Sequence, residues 1–140
     1  MKKDTEKTNA IRILEQKKVS FEVHNYVDSG AVSGEEIVAA LGEDPTAVFK
    51  TLVTVGKTGA HYVFLVPVCG ELDLKKAAAA VGEKSIAMIK SKELLPLTGY
   101  IHGGCSPVGM KKLFPTVIDA SAENLETMIV SAGKIGYQGE

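Results

Sequence analysis

The sequence predicts an α+β fold, a single domain with a mixed, mostly antiparallel sheet flanked by short helices. Three observations lead there. Val48 to Val55 and His61 to Val68 are β-branched and apolar runs on either side of Gly56 to Gly59, the pattern of a hairpin closed by a tight turn. The helical stretches are short and carry their own start and stop residues. Strands and helices alternate irregularly, without the even spacing of right-handed βαβ units, which argues against an all-parallel sheet.

In chain order, Thr5 to Lys17 reads as a helix with Ala10, Ile11 and Leu14 as its apolar stripe, broadened by Ile13, and with Lys17 and Lys18 at its negative end. Val19, Phe21 and Val23 alternate with Ser20, Glu22 and His24, a half-buried strand ending near Tyr26. Asp28 to Gly34 is a loop. Ser33, with Glu36 three residues on, opens a helix through Ile37, Val38 and Leu41 that Gly42 closes. Asp44 and Pro45 start a further helical turn that delivers the chain into the hairpin. After Pro67 and Gly70, Asp73 caps a helix along the alanine run to Val81, stopped at Gly82. Lys84 to Ile89 is a short strand, and Ser91 to Leu95 a short capped helix stopped by Pro96. Gly99 to Gly109, GYIHGGCSPVG, is a shaped loop whose backbone lies close to something. A strand through Val117 and Ile118, a helical turn from Ala122 to Leu125 and a strand from Thr127 to Ser131 follow, before a glycine-rich end, AGKIGYQGE.

With 140 residues, 45% hydrophobic and 24% charged, the chain is long enough to bury a core without staples. Its longest apolar run, Tyr62 to Cys69, is too short to span a bilayer, and its start lacks the apolar core of a secretory signal, so a cytoplasmic location with no membrane partner is expected. Cys69 and Cys105 form no dense framework and read as free thiols. A formal charge of -1 argues against tight, purely electrostatic binding to nucleic acid. Lys75, Lys76, Lys111, Lys112 and Lys134 remain available for a local patch.

Two stretches carry chemistry. Lys50 places an ammonium beside apolar neighbours, sharing a strand face with Val48, Leu52 and Thr54. Either an exposed strand end lets its stem carry the charge to water, or the strand aims a cation into a cleft. His102 to Pro107, HGGCSP, can form an anion-binding nest of backbone N–H groups, or simply a turn. It matches neither the phosphate loop nor the dinucleotide fingerprint, which removes the usual support for nucleotide-triphosphate and NAD chemistry. His102 and Cys105, three apart, are poor evidence for a thiol nucleophile with its base and poorer for a metal site. No cofactor is expected.

Six stretches in order resemble the YbaK family of trans-acting aminoacyl-tRNA deacylases, related to the editing domain inserted in bacterial prolyl-tRNA synthetase. They are SFEVHNY from Ser20, VFKTLV from Val48, ELDLKKAA from Glu71, TGYIHGGCSPVGMKK from Thr98, PTVIDA from Pro115 and VSAGK from Val130. The resemblance implies that Lys50 is the essential strand lysine and that Tyr26 lines the pocket. It makes Gly103, Gly104, Cys105, Ser106 and Pro107 the loop that holds the substrate near its ester, with Ser131 and Gly133 on the pocket wall. Where many members have an acidic residue in the pocket, this chain has Gln138, which bears on substrate choice and rate. The chain also stops at Glu140, short of the family's usual C-terminal helix, and an uncovered edge or patch of core is expected there. The implied activity is hydrolysis of mischarged tRNA, cysteine or another small amino acid on tRNA(Pro). The partners are the acceptor end of an aminoacyl-tRNA and prolyl-tRNA synthetase. The rival reading is a catalytically weak module of the same fold that only holds tRNA ends or a synthetase. Backbone donors in a glycine loop suit the oxyanion of ester cleavage, but no general base is evident.

Overall fold

A computed structural model of the protein describes residues 8–31 and 33–140. The first three residues of the helix predicted from Thr5, and Val32 in the loop that follows, lie outside them.

Local signals set most of the elements. α1 (Asn9–Gln16) begins where the Thr8 hydroxyl accepts the Ile11 N–H, and it buries Ala10 and Ile11. α2 (Gly34–Leu41) carries both halves of its capping box: the Glu36 N–H donates to Ser33 Oγ at 3.1 Å and the Ser33 N–H to Glu36 Oε1 at 3.0 Å. Gly42 ends it with a φ of 66°, a conformation that costs glycine nothing. A single 3₁₀ turn, Pro45–Ala47, capped by Asp44, then feeds the hairpin. α3 (Leu74–Val81) starts where the Asp73 carboxylate accepts the Lys75 and Lys76 N–H groups.

Several boundaries differ from the sequence expectation: the strands expected over Lys84 to Ile89 and Thr127 to Ser131 shorten to Ile86–Met88 and Val130–Ser131, and the turn expected over Ala122 to Leu125 is a 3₁₀ helix at Ala120–Asn124. The strand expected from Val19 shortens to β1 (Val23–Asn25), because Val19 still donates its N–H to Leu14 at the end of α1 and is 46% exposed. The helix expected to stop at Pro96 runs to Thr98 as α4 (Ser91–Thr98). Proline at its sixth position removes only the bond to the Lys92 carbonyl, and Lys92 is exposed, so solvent can serve that oxygen. The helix ends compensate, with the Lys90 N–H donating to Glu93 at 2.9 Å and the Gly99 N–H to the Leu95 carbonyl at 2.9 Å. The glycine-rich end contains a strand that composition hid.

The remaining strands are β2 (Phe49–Gly56), β3 (His61–Pro67), β4 (Ile86–Met88), β5 (Thr116–Ile118), β6 (Val130–Ser131) and β7 (Tyr137–Gly139). β2 and β3 pair antiparallel from Phe49 opposite Pro67 to Val55 opposite His61, the expected hairpin. They centre a four-stranded sheet of order β4-β2-β3-β5, in which only β5 runs parallel to its neighbour. The α+β class and the mostly antiparallel pairing hold, but the strands fall into two sheets, the second being antiparallel with order β1-β7-β6.

Strand alternation divides the core. Phe49, Val53, Val63 and Leu65 pack with Ala10, Leu94, Tyr100 and Cys105, whereas Phe64 packs with Ala77, Ala78 and Ile86 beneath α3. Removing the Phe64 ring, 3% exposed, would cost about 3–5 kcal/mol. No helix among the described residues is long and apolar enough to cross a membrane.

Candidate active site

The two sheets meet where Val48 bridges Ile129, both buried with Val38 beside them. Phe49 donates its N–H to the Ile129 carbonyl at 2.9 Å, and Ile129 donates its own to Ala47 at 2.8 Å. This junction sets the start of β2 against the start of β6, and a cleft of about 500 Å³ opens there.

Of the residues singled out in the sequence, Lys50, Tyr26, Gly103, Cys105, Ser131 and Gln138 line this cleft. Residues from both sheets and from the glycine loop, up to 112 positions apart, therefore converge. Lys50 is half-buried, and no ion pair to it forms among the described residues. Of its two sequence readings, the cation in a cleft is the one that the placement favours. Tyr26 is 6% exposed and fixed by its N–H to the Gly136 carbonyl at 2.7 Å. Ser131 Oγ accepts the Gly133 N–H at 3.2 Å.

Gly104, Ser106, Pro107 and Gly133 are not among the lining residues. Gly104 is glycine for packing: a Cβ there would lie 2.9 Å from the Ile135 nitrogen and 3.1 Å from the Lys134 carbonyl carbon. Ser106, 1% exposed, accepts the Val108 N–H at 3.2 Å and shapes the loop from inside. Gly133 has a φ of 97°, and a Cβ there would meet the Tyr100 ring at 2.9 Å. Gly104, Ser106 and Gly133 hold the loop and wall in place from behind.

Burial pushes the Cys105 thiol up to about 11, so at neutral pH it is a protonated core group and a poor nucleophile. The other histidines are engaged elsewhere: His24 lies 2.6 Å from Glu140, and His61 packs against the Phe114 ring at 5.7 Å. His102 lines the cleft and is exposed.

The cleft also contains residues that the sequence did not single out. Thr51 contributes a buried hydroxyl without a hydrogen-bond partner among the described residues. Lys90 and Ser91 bring the start of α4 to the wall, and Lys90 with Lys50 gives the opening a cationic side. The sequence opened a capped helix at Ser91, and the structure makes Lys90 its cap residue, with the Lys90 N–H donating to Glu93. Glu43 approaches from behind: the Gln138 carboxamide nitrogen donates to its two oxygens at 2.6 and 3.2 Å. Burial raises the Glu43 carboxyl above the ordinary glutamate range, with His24 and Gln138 opposing that shift.

The aminoacyl-tRNA editing domain family matches residues 28–138 of the chain. A protein of Enterococcus faecalis named as a candidate Cys-tRNA(Pro)/Cys-tRNA(Cys) deacylase, EbsC, is 46% identical over 140 residues, spanning 99% of this chain and 85% of the relative. The proline–tRNA ligase of Shouchella clausii is 30% identical over 103 residues, which make up 74% of this chain and 18% of the ligase. The solved structure of a candidate trans-editing enzyme for prolyl tRNA synthetase superimposes with a TM-score of 0.82 at 27% identity, covering 96% of this chain and 87% of that one.

Proposed function

Because the chain belongs to the aminoacyl-tRNA editing domain family, we propose that it is a cytoplasmic deacylase that frees mischarged tRNA of its amino acid. Its substrate is cysteine, or another small amino acid, on tRNA(Pro), and prolyl-tRNA synthetase is the partner that hands over the charged end. The observation that carries this reading is the convergence of Lys50, Tyr26, Gly103, Ser131 and Gln138 on one cleft beside a thiol that is not ionised.

In the reaction, the attacking oxygen of water bonds to the ester carbonyl carbon and the bond from that carbon to the ribose oxygen breaks. The water proton passes to the ribose oxygen, leaving a free amino acid and a tRNA with its terminal hydroxyl restored. Negative charge develops on the carbonyl oxygen, and a fixed ammonium from Lys50 stabilises it. The Gly104 N–H already donates to the Ile101 carbonyl at 3.0 Å, which leaves His102, Gly103 and Cys105, the loop residues that line the cleft, as candidate backbone donors.

Among the described residues no Ser-His-Asp or Cys-His pair lines the cleft with an ionised nucleophile. A cysteinyl ester can supply its own: its sulfur loses its proton and attacks the carbonyl carbon, the bond from that carbon to the ribose oxygen breaks, the ribose oxygen takes up a proton, and water then opens the resulting thiolactone. The purified protein incubated with a panel of mischarged tRNAs tests the activity. Cysteinyl-tRNA(Pro) should be cleaved faster than its S-methyl form. Equal rates for the two would assign the attack to water, and no cleavage of any ester would leave the protein as a binding module.

A further inference from the structure

Gln138 occupies the middle of β7, opposite His24 of β1 on one side and Ser131 of β6 on the other. Directly opposed residues of antiparallel strands project from the same face, so the face that carries Ser131 and Gln138 to the cleft continues through His24 towards Glu140. On this face Gln138 is 6% exposed, and a carboxamide so enclosed needs partners. Its nitrogen donates to Glu43 at 2.6 and 3.2 Å, an orientation set by hydrogen bonding, since a carboxylate can only accept. With the nitrogen committed, the oxygen is the polar atom that the side chain has left for the cleft. Glu43 is itself held, its N–H donating to the Val38 carbonyl at 3.1 Å in the turn that closes α2.

We infer that Glu43 is a positioning residue that fixes the Gln138 carboxamide with its oxygen towards the cleft, where it accepts the α-ammonium of the aminoacyl group. The inference rests on the deacylase reading for the identity of that ligand. A neutral carboxamide alone would distinguish poorly between a cation and a neutral amide. Backed by a carboxylate, it presents a fixed oxygen in a negative field, and the charge stays out of reach of the ester. Without Glu43 the carboxamide can turn its NH₂ to the cleft, which would repel an ammonium.

The test is calorimetric binding of an adenosine carrying alanine through a stable 3′-amide, compared with its N-acetyl derivative. A hydrogen bond to a charged group corresponds to roughly tenfold or more in affinity, so the wild type should prefer the free amine by about that factor. Glu43→Ala should bring the ratio close to one while leaving affinity for the acetylated ligand unchanged. The reciprocal exchange, Glu43→Gln with Gln138→Glu, should restore the preference. An unchanged ratio in Glu43→Ala, or equal weakening of both ligands, would overturn the inference, the second result marking a purely structural role. Hydrolysis of cysteinyl-tRNA(Pro) by the same wild-type sample separates the two proposals. Cleavage with no amine preference removes the ammonium site alone, and amine preference with no cleavage removes the deacylase reading alone.

Discussion

At the scale of single residues, the proposed function separates groups that act on the substrate from groups that hold the first kind in place. Lys50 belongs to the first, and Lys50→Ala should lower deacylation roughly 10²-fold or more, the usual loss when a preorganised electrostatic stabiliser is removed. Lys50→Arg should rescue little, since a planar fork cannot occupy the position of a compact ammonium. Near-normal turnover in both variants, with the melting temperature unchanged, would remove Lys50 from the chemistry. Cys105 and Gly104 belong to the second group. Cys105→Ser should keep most activity because the thiol is protonated and sits in the core. Gly104→Val drives a side chain against the backbone of Lys134 and Ile135 and should destabilise the fold by about 1–3 kcal/mol. A dead serine variant that traps a thioester on the wild-type cysteine would reverse this division. Lys50 was legible in the sequence because a charge inside a β-branched run breaks a local pattern. The partnership of Glu43 with Gln138 was not, because two polar residues 95 positions apart leave no periodicity to read.

At the scale of elements, helix caps and the hairpin were legible because each is decided within a few residues, as at Ser33 with Glu36 and at Asp73. β7 was not, because its three residues become a strand only by lying between β1 and β6. The same non-local logic joins α3 to the hairpin through Glu83, whose carboxylate accepts the Tyr62 hydroxyl at 2.7 Å and the Thr58 hydroxyl at 2.5 Å. Gly56 makes room for it, since a Cβ there would lie 2.2 Å from the Glu83 carboxyl carbon. The Thr58 and Tyr62 hydroxyls hold the Glu83 carboxyl below the ordinary glutamate range, while the carboxylate raises the Tyr62 phenol. A depressed carboxyl contributes stability that is present above its unfolded pKa and lost as pH falls through the folded one. A raised phenol contributes stability that is present below its unfolded pKa and lost as pH rises through the folded one. The melting-temperature gap between wild type and Glu83→Gln should therefore be widest near neutrality and narrow below about pH 4. The gap for Tyr62→Phe should also narrow above about pH 10. A gap that stays constant across this range would mean that the network stabilises the hairpin through packing alone.

At the scale of the whole molecule, charge argues for a handover. Sixteen basic and seventeen acidic residues give no net attraction for a polyanion, so affinity for tRNA depends on a few local cations. Lys50 and Lys90 are the ones that the fold brings to the cleft, and the cleft is sized for an aminoacyl end rather than for a duplex. Each single-strand phosphate contact contributes about −0.7 to the slope of log affinity against log salt, so one or two contacts predict a slope near −1 and weak binding of free tRNA. Lys90→Ala should reduce that slope by about one contact's worth while leaving cleavage at saturating substrate nearly unchanged, because Lys90 is exposed at the start of α4. A synthetase that already grips the tRNA body would compensate by raising the local concentration of the acylated end. Cleavage of cysteinyl-tRNA(Pro) at dilute substrate should then rise when prolyl-tRNA synthetase is added, and the rise should be largest at high salt, where unaided encounter is weakest. Tight, salt-insensitive binding of tRNA by the protein alone would contradict the handover. It would require a cationic surface outside the cleft, for which the exposed Lys75, Lys76, Lys111 and Lys112 would be the first substitutions to make.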